Sequence, residues 1–240
     1  MNSKWKTEEL SKSFIENIRG AIPSAKTQIE VILKIISVWN PDINKVMDLG
    51  CGDGILGKFI LSEYPNIELF SIDFSDTMLD AARKNMENMD TVHFMKLDFS
   101  FSNWTEAVNK SGGFDLIISG FSIHHQPDER KREIYQEIYN LLNLNGIFLN
   151  LEHVSSTSMA VGEVFDNYFI DSLFSFHNKA NPDTKRHMVA EKYYNRPDKE
   201  ENILAPVDIQ CDWLRELGYQ DVDCFFKIFE LALFGGRKIR

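Results

Sequence analysis

Short apolar runs alternate along this chain with longer segments in which apolar residues recur every three or four positions. Runs of four to eight apolar residues bounded by turn residues are typical of buried strands, and the wider spacing is typical of amphipathic helices. The pattern predicts strands at residues 46–49, 67–73, 91–97, 114–119 and 147–152. It predicts helices at residues 8–19, 24–39, 54–63, 75–89 and 128–142, with Ser24 as an N-cap and a turn at 143–146.

The pattern becomes less regular after the fifth strand. Residues 157–194 are predicted to form two or three helices rich in aromatic residues. We interpret them as an insertion over the carboxyl ends of the strands, where ligands bind in such sheets; the alternative is an ordinary helical layer with an aromatic core. Residues 207–217 are predicted to form a helix, and residues 222–226 and 228–234 fit a closing pair of strands.

The alternation of strands with helices predicts an α/β fold with a doubly wound, mostly parallel sheet. We divide the chain into N-terminal helices within residues 1–42, expected to cover the ligand site, and a domain over residues 43–240. The domain includes the helical insertion at about residues 155–205.

A glycine-rich turn at residues 50–54 follows the first predicted strand and opens a helix. Glycines there allow a tight turn and a close approach of a ligand to the main chain. Asp48 precedes the turn and would repel a pyrophosphate, but it suits S-adenosylmethionine, which carries an ammonium and a sulfonium and no phosphate. Asp73 ends the next strand, where an acidic residue accepts hydrogen bonds from ribose hydroxyls.

These segments resemble the class I S-adenosylmethionine-dependent methyltransferases. The similar segments are residues 48–54 (motif I), 73–79 (motif II), 97–99 (the element whose Asp bonds the adenine amino group), 114–119 (motif IV) and 141–147 (the turn before strand five). The resemblance implies a Rossmann-like, seven-stranded, doubly wound sheet, mostly parallel with the last strand antiparallel, and a helical cap. It also implies S-adenosylmethionine as the cofactor.

The resemblance further implies which residues hold the cofactor. Asp48 and the first glycines would hold the methionine part, Asp73 the ribose and Asp98 the adenine, with Phe74 and Phe99 flanking the ring. Met78 is a candidate for adenine contact and equally for a core position. The complete set of candidate cofactor-binding residues is Asp48, Gly50, Cys51, Gly52, Asp73, Phe74, Met78, Asp98, Phe99 and Ser119.

Three histidines are the candidates for catalysis. His124 and His125 follow the fourth strand, and His153 follows the fifth, so all three are expected near the mouth of the sheet. Transfer from an activated methyl donor depends mainly on positioning and water exclusion. A general base is needed only when the acceptor must lose a proton. No metal is predicted, because the histidine and carboxylate spacing matches no ligand motif.

A narrower resemblance concerns the carboxy-S-adenosylmethionine synthases. Residues 19–23 are similar to their N-terminal segment, and Arg196 lies where that family has an arginine that binds the carboxylate of the cofactor. Arg196 is equally suited to an acidic substrate or to a solvated loop. Arg19, Arg196 and the insertion residue Tyr168 are the candidate substrate-binding residues.

The composition of the chain limits which binding partners and which cellular location are expected. The 240 residues carry a formal net charge of −10, which repels phosphate backbones and disfavours nucleic acid relative to a small-molecule substrate. No apolar stretch approaches the roughly 18 residues of a membrane span, and the first residues lack a signal core. The three cysteines match no zinc or redox motif, so reduced thiols and a cytoplasmic location are expected. A homodimer is left open.

The leading prediction is a methyltransferase that acts on a small molecule. A carboxy-S-adenosylmethionine synthase-like enzyme and a catalytically silent protein that binds S-adenosylmethionine are the alternatives. An NAD-dependent oxidoreductase is disfavoured by Asp48 and by the glycine spacing.

Overall fold

One seven-stranded sheet organises the protein. The computed structural model describes residues 19–239 except Asn88 and Asp198. The strands are β1 (Lys45–Leu49), β2 (Glu68–Asp73), β3 (Val92–Lys96), β4 (Phe114–Gly120), β5 (Leu142–His153), β6 (Gln220–Ile228) and β7 (Leu231–Lys238). The helices are α1 (Ala25–Trp39), α2 (Ile55–Glu63), α3 (Asp76–Asn85), α4 (Trp104–Asn109), α5 (Asp128–Leu141), α6 (Met159–Ala180), α7 (Arg186–Tyr194) and α8 (Val207–Glu216).

The strands are ordered β3-β2-β1-β4-β5-β7-β6 across the sheet. The pairs from β3 to β5 are parallel, and β7 is antiparallel to both β5 and β6. The sequence-based prediction of a doubly wound, mostly parallel sheet with an antiparallel last strand is confirmed. Because consecutive parallel strands point the same way, their carboxyl ends meet at one edge of the sheet.

Alternation along each strand builds a core on both faces of the sheet. Val46 packs with apolar residues of α1, α2 and α3, whereas its neighbour Met47 packs with those of α4, α5 and α8. In β4, Leu116 and Ile118 belong to the first face and Ile117 to the second. Both faces are therefore covered by helices, which explains why these strands are continuous apolar runs.

The structure differs from the predicted elements at several ends. The predicted turn at residues 143–146 lies within β5, where Asn145 has a left-handed φ of 66° and the pairing with β4 shifts register. Helix α3 ends at Asn85, before the predicted Met89, and α4 was not predicted because it has only six residues. Ser24 stands at the N-cap of α1 but makes no side-chain cap hydrogen bond. The predicted helix at 8–19 lies outside the described residues, except for a short turn that begins at Arg19.

Helices α6 and α7 form a cap beyond the sheet. Their buried residues pack together around Phe165, Phe169 and Tyr193, and they contact Ala21 and Leu231. The described N-terminal residues lie in two places. Helix α1 packs on the sheet, whereas the turn before it contacts the cap. No helix in the described ranges combines the length and the apolar character needed to cross a membrane.

The central position of β7 allows a test of the sheet packing. A Cβ at Gly235 would overlap the carbonyl oxygen of Phe148 on β5, and that backbone is fixed by its own ladder. We expect Gly235→Ala to lower the free energy of unfolding by about 1–3 kcal/mol, as overpacking does, measured by urea denaturation. The matched control is Gly162→Ala in α6, where the nearest atom is 3.5 Å away and alanine favours the helix. Equal urea midpoints for Gly235→Ala and the natural protein would contradict this account.

Candidate active site

A cavity of about 500 Å³ opens at the carboxyl edge of the sheet, beneath the cap. This volume is within the range of small-molecule sites. One part is lined by residues of the glycine loop and of the ends of β2 and β3: Gly50, Cys51, Gly52, Asp73, Phe74, Ser75, Met78, Asp98, Phe99, Ser100 and Phe101. The other part is lined by residues that follow β4 and β5 and by the cap, including Ile22, Phe121, Ser122, His124, His125, His153, Phe165, Phe169, Tyr193, Arg196, Asn202 and Leu231.

The glycine loop is held against the end of β2. The N–H groups of Gly50 and Cys51 both donate to the carbonyl oxygen of Ile72 at 2.8 Å. Gly50 has φ 71°, and a Cβ there would overlap the Ser122 hydroxyl, so glycine is required. At Gly52, with φ 55°, the nearest atom to a built Cβ is 4.0 Å away, which leaves open space on the cavity side. This cradle of main chain fits a ligand that approaches the backbone closely.

Asp73 joins the loop to β2 and faces the cavity. Its carboxylate accepts hydrogen bonds from the N–H of Gly52 at 3.0 Å and of Ser75 at 2.8 Å. Burial raises the pKa of Asp73 to about 6, although these two hydrogen bonds act in the opposite direction. A fixed carboxylate of this kind is an acceptor for vicinal hydroxyls of a ribose.

The adenine side of the predicted site is a loop fastened to α5. The Asp98 carboxylate accepts hydrogen bonds from the N–H and the hydroxyl of Ser100, at 3.0 and 2.6 Å. The Arg130 guanidinium donates twice to the carbonyl oxygen of Phe99, at 3.0 and 2.8 Å, and also to Glu137 at 2.7 and 2.8 Å. Burial acts to lower the pKa of Arg130, but its carboxylate partners outweigh that effect and the pKa is raised. This arrangement of the Arg130 guanidinium with Phe99 and Glu137, called the Arg130 fork below, therefore holds the cavity wall that Phe99 forms.

Two residues predicted to bind the cofactor lie behind the cavity. The Asp48 side chain accepts the N–H of Gly57 in α2 at 3.0 Å, and Asp48 does not line the cavity. The Ser119 hydroxyl donates to the carbonyl oxygen of Leu49 at 2.9 Å and is fully buried. These hydrogen bonds hold the start of α2 and the end of β1, on either side of the glycine loop, and Ser122, which was not predicted, lines the cavity.

His124 forms a close pair with a buried carboxylate. Its Nδ1 lies 2.5 Å from Oε1 of Glu152, a residue with 0% exposure. The N–H groups of His124 and His153 donate to the two oxygens of Glu152, each at 3.0 Å. Burial raises the pKa of Glu152 to about 7 and lowers that of His124 well below its ordinary value. The imidazole of His124 is therefore neutral near neutral pH.

The other two histidines have different partners. His153 Nε2 lies 2.8 Å from Glu230, which also accepts the hydroxyl of Ser156 at 2.5 Å. Burial would raise the pKa of Glu230, but these hydrogen bonds lower it. His125 Nδ1 lies 3.3 Å from the carbonyl oxygen of Glu201, and burial together with His124 lowers its pKa to about 3. All three candidate catalytic histidines line the same cavity.

The candidate substrate-binding residues are separated by the structure. The Arg196 guanidinium lines the cavity and lies 4.7 Å from the ring centroid of Tyr193. Tyr168 is outside the cavity lining and packs on Phe229, with ring centroids 5.7 Å apart. Arg19 begins the turn before α1, but its side chain lies outside the described part of the chain.

Part of the chain matches a known family in sequence. Residues 46–146 match the family described as a methyltransferase domain. The carboxy-S-adenosyl-L-methionine synthase of Nautilia profundicola is 22% identical over 95% of this chain and 91% of its own. The synthase of Campylobacter hominis is 25% identical over 96% and 93%.

Solved structures share the fold. An O-methyltransferase family protein from Burkholderia thailandensis superposes with a TM-score of 0.60 at 18% identity, over 98% of this chain and 63% of that one. Human N-acetylserotonin methyltransferase in complex with S-adenosylmethionine gives 0.62 at 16%, over 98% and 57%. This chain thus spans about three fifths of these structures. The sheet and its glycine loop define a Rossmann-like methyltransferase fold. The methyltransferase-domain match over residues 46–146 and the shared fold support a class I S-adenosylmethionine-dependent methyltransferase.

The Arg130 fork provides a test of how the cavity wall is held. Arg130→Lys keeps the charge but loses the two parallel hydrogen bonds to the Phe99 carbonyl oxygen. We expect S-adenosylhomocysteine to bind about tenfold more weakly, or ~1.4 kcal/mol, by calorimetry. Arg132→Lys is the control, because Arg132 pairs with Glu216 on the surface. An unchanged affinity in Arg130→Lys would show that the fork does not order the wall.

Proposed function

We propose that this protein transfers a methyl group from S-adenosylmethionine to a small-molecule acceptor bound beneath the cap. The observation that carries the proposal is the continuity of the cavity. The part lined by Gly50 and Asp73 opens directly into a compartment walled by Phe165, Phe169 and Tyr193. A donor and an acceptor can therefore lie side by side within one continuous cavity.

The protein's own residues supply binding and orientation. Asp73 would accept the ribose hydroxyls, the loop from Asp98 to Phe99 would hold the adenine, and the open face of Gly52 would admit the methionine part. Bound S-adenosylmethionine supplies an activated methyl group. The cap excludes water and holds the acceptor in line, which is the main contribution that such a transfer requires.

The charge of the protein supports a small-molecule acceptor. A formal net charge of −10 disfavours binding of a nucleic acid. The compartment beneath the cap has aromatic walls, and its polar lining residues include His124, His125, His153, Arg196, Glu201 and Asn202. Such a site, apolar with a few placed polar groups, is typical of small-ligand recognition.

A second candidate is an activity like that of the carboxy-S-adenosyl-L-methionine synthases. Two proteins with that name match this chain over nearly its full length. Arg196 lines the cavity on the face of Tyr193, and a guanidinium is well suited to a carboxylate. In this alternative, Arg196 would bind a carboxylate attached to the cofactor.

Mass spectrometry of the nucleoside that copurifies with the protein separates the two candidates. Methyl transfer predicts S-adenosylmethionine or S-adenosylhomocysteine, whereas the synthase-like activity predicts the carboxylated form. With Arg196→Met, we expect unchanged affinity for S-adenosylhomocysteine if Arg196 contacts the acceptor. Retention of the carboxylated nucleoside by the natural protein and its loss in Arg196→Met would favour the second candidate instead.

The raised pKa of Asp73 predicts a pH dependence of cofactor binding. As the pH falls through about 6, the Asp73 carboxylate takes up a proton, loses its charge and becomes a weaker acceptor of hydrogen bonds from the ribose. We expect the Kd of S-adenosylhomocysteine to rise below that pH and to be level above it. Asp73→Asn should weaken binding by about 1–3 kcal/mol and remove the pH dependence, as calorimetry between pH 5 and pH 8 would measure; this window runs from about one unit below to about two units above the raised pKa.

The control for this measurement is Asp76→Asn. Asp76 is exposed and pairs with Lys96 at the surface of the same region. It should leave both the affinity and the pH dependence unchanged. If Asp73→Asn behaved like this control, Asp73 would not hold the ribose.

A further inference from the structure

We infer that Nδ1 of His153 accepts a hydrogen bond from the methyl acceptor, so that the site selects small molecules with an N–H or O–H group in addition to the group that is methylated. Glu230, on the turn between β6 and β7, is the positioning residue that fixes the polarity of the imidazole. The inference rests on the proposed methyl transfer and adds a specificity-determining contact to it. The role of His153 is to bind the acceptor, not to take its proton.

The imidazole of His153 is held in place at the end of β5. It lines the part of the cavity beneath the cap. Its ring packs against the rings of Phe165 and His124, with centroids 5.6 and 5.7 Å away. The backbone N–H of His153 donates to Glu152 at 3.0 Å. The ring is therefore a fixed part of the wall that an acceptor would contact.

Glu230 determines which ring nitrogen carries the proton. Its Oε2 lies 2.8 Å from Nε2 of His153, and its Oε1 accepts the hydroxyl of Ser156 at 2.5 Å. Burial alone would raise the pKa of Glu230, but these hydrogen bonds lower it below its ordinary value. The carboxylate is therefore ionised at neutral pH and can only accept hydrogen bonds. Nε2 of His153 has to be the donor, which leaves the lone pair of a neutral imidazole on Nδ1.

Nδ1 of His153 is an acceptor that the protein itself does not use. No described residue hydrogen-bonds this nitrogen, and it is not sealed off by protein atoms. The neighbouring walls of Phe165 and Phe169 are apolar. A molecule that covers Nδ1 without donating to it removes water from an acceptor and gives nothing in return, which weakens its binding. Sites of this kind reject analogues that lack the matching hydroxyl or N–H group.

The turn that carries Glu230 shows backbone strain. Ile228 pairs with Leu231, so Phe229 and Glu230 are the two central residues of a tight hairpin turn. Phe229 has a φ of 50° at the first of these positions, where glycine is usual. A bulky residue in this conformation persists only where its surroundings hold it, and such strain is concentrated at functional sites.

Three contacts hold the strained turn against the segment that joins β5 to α6. The Phe229 ring packs on Tyr168, with centroids 5.7 Å apart. The Glu230 carbonyl oxygen accepts the N–H of Val154 at 2.8 Å, and its carboxylate accepts the hydroxyl of Ser156. The strain and these contacts together place the carboxylate at Nε2 of His153, independently of any ligand.

The test uses pairs of small aromatic compounds that share a skeleton: catechol with guaiacol, and 1,2-diaminobenzene with its N,N-dimethyl derivative. Every compound keeps a group that can be methylated, but only the first of each pair keeps a second donor. We expect the first compound to bind the full chain, loaded with S-adenosylhomocysteine, about 10–100-fold more tightly by calorimetry, as expected for one unpaired acceptor. Equal Kd values within both pairs, or no binding of either donor-bearing compound, would overturn the inference.

Glu230→Gln tests the positioning role. A glutamine amide can donate to Nε2, so the imidazole is no longer restricted to one tautomer. We expect the preference for the donor-bearing compounds to fall toward equality. Affinity for S-adenosylhomocysteine should be unchanged, because His153 and Glu230 lie outside the glycine-loop part of the cavity, and this measurement also reports whether the variant folds. The matched control is Glu68→Gln, which alters an exposed pair of the same kind, 3.0 Å from Nε2 of His93.

A spectroscopic readout of the natural protein needs neither a variant nor turnover. Long-range proton–nitrogen NMR of protein with labelled histidine, at about pH 8 and so above the ordinary imidazole pKa of about 6.5, should show His153 protonated at Nε2 and unprotonated at Nδ1. Catechol should shift the Nδ1 resonance more than guaiacol does. A proton on Nδ1 in the natural protein would contradict the assignment whatever the affinities are.

The outcomes separate this inference from the proposed function on which it rests. If the donor-bearing compounds bind through His153 but no compound yields S-adenosylhomocysteine from S-adenosylmethionine, the contact stands and methyl transfer to such acceptors fails. If compounds are methylated equally well with and without the second donor, methyl transfer stands and the role of His153 is wrong.

Discussion

The constraint on which the site depends is the double hydrogen bond that fastens the glycine loop to the end of β2. Two consecutive N–H groups, of Gly50 and Cys51, share the carbonyl oxygen of Ile72. This contact bends the chain sharply where β1 ends and brings the loop beside Asp73. The cavity exists because the turn directs its open face toward the space above the sheet rather than into the core.

Much of the fold and of the cavity lining around the glycine loop could be predicted from sequence, because those features are local. Strand periodicity marks each buried segment, and Gly50, Asp73 and Asp98 come directly at strand ends, which meet at one edge of a parallel sheet. Asp48 lies outside the cavity lining because a residue inside a strand takes its direction from the alternation of the strand. It shares the face of Val46 and so points toward α2.

The part of the cavity beneath the cap could not be predicted in the same way, because its contacts join distant parts of the chain. His153 and Glu230 are 77 residues apart, and His124 and Glu152 are 28 residues apart. Period and spacing carry no information about such pairs. The histidines themselves were identifiable from their positions after β4 and β5, but their carboxylate partners required the packing of the cap and of the closing strands.

The insertion of β7 between β5 and β6 has a consequence for how the protein emerges from the ribosome. Strands β1 to β5 can pair in the order in which they are made, but β5 keeps an exposed edge until residues 231–238 are synthesised. Unpaired edges invite association with other chains. Glu230, at the turn that starts β7, also reaches His153 only at that stage. A nascent chain therefore forms the glycine-loop part of the cavity before the part beneath the cap is complete, and β5 has an unpaired edge during that interval.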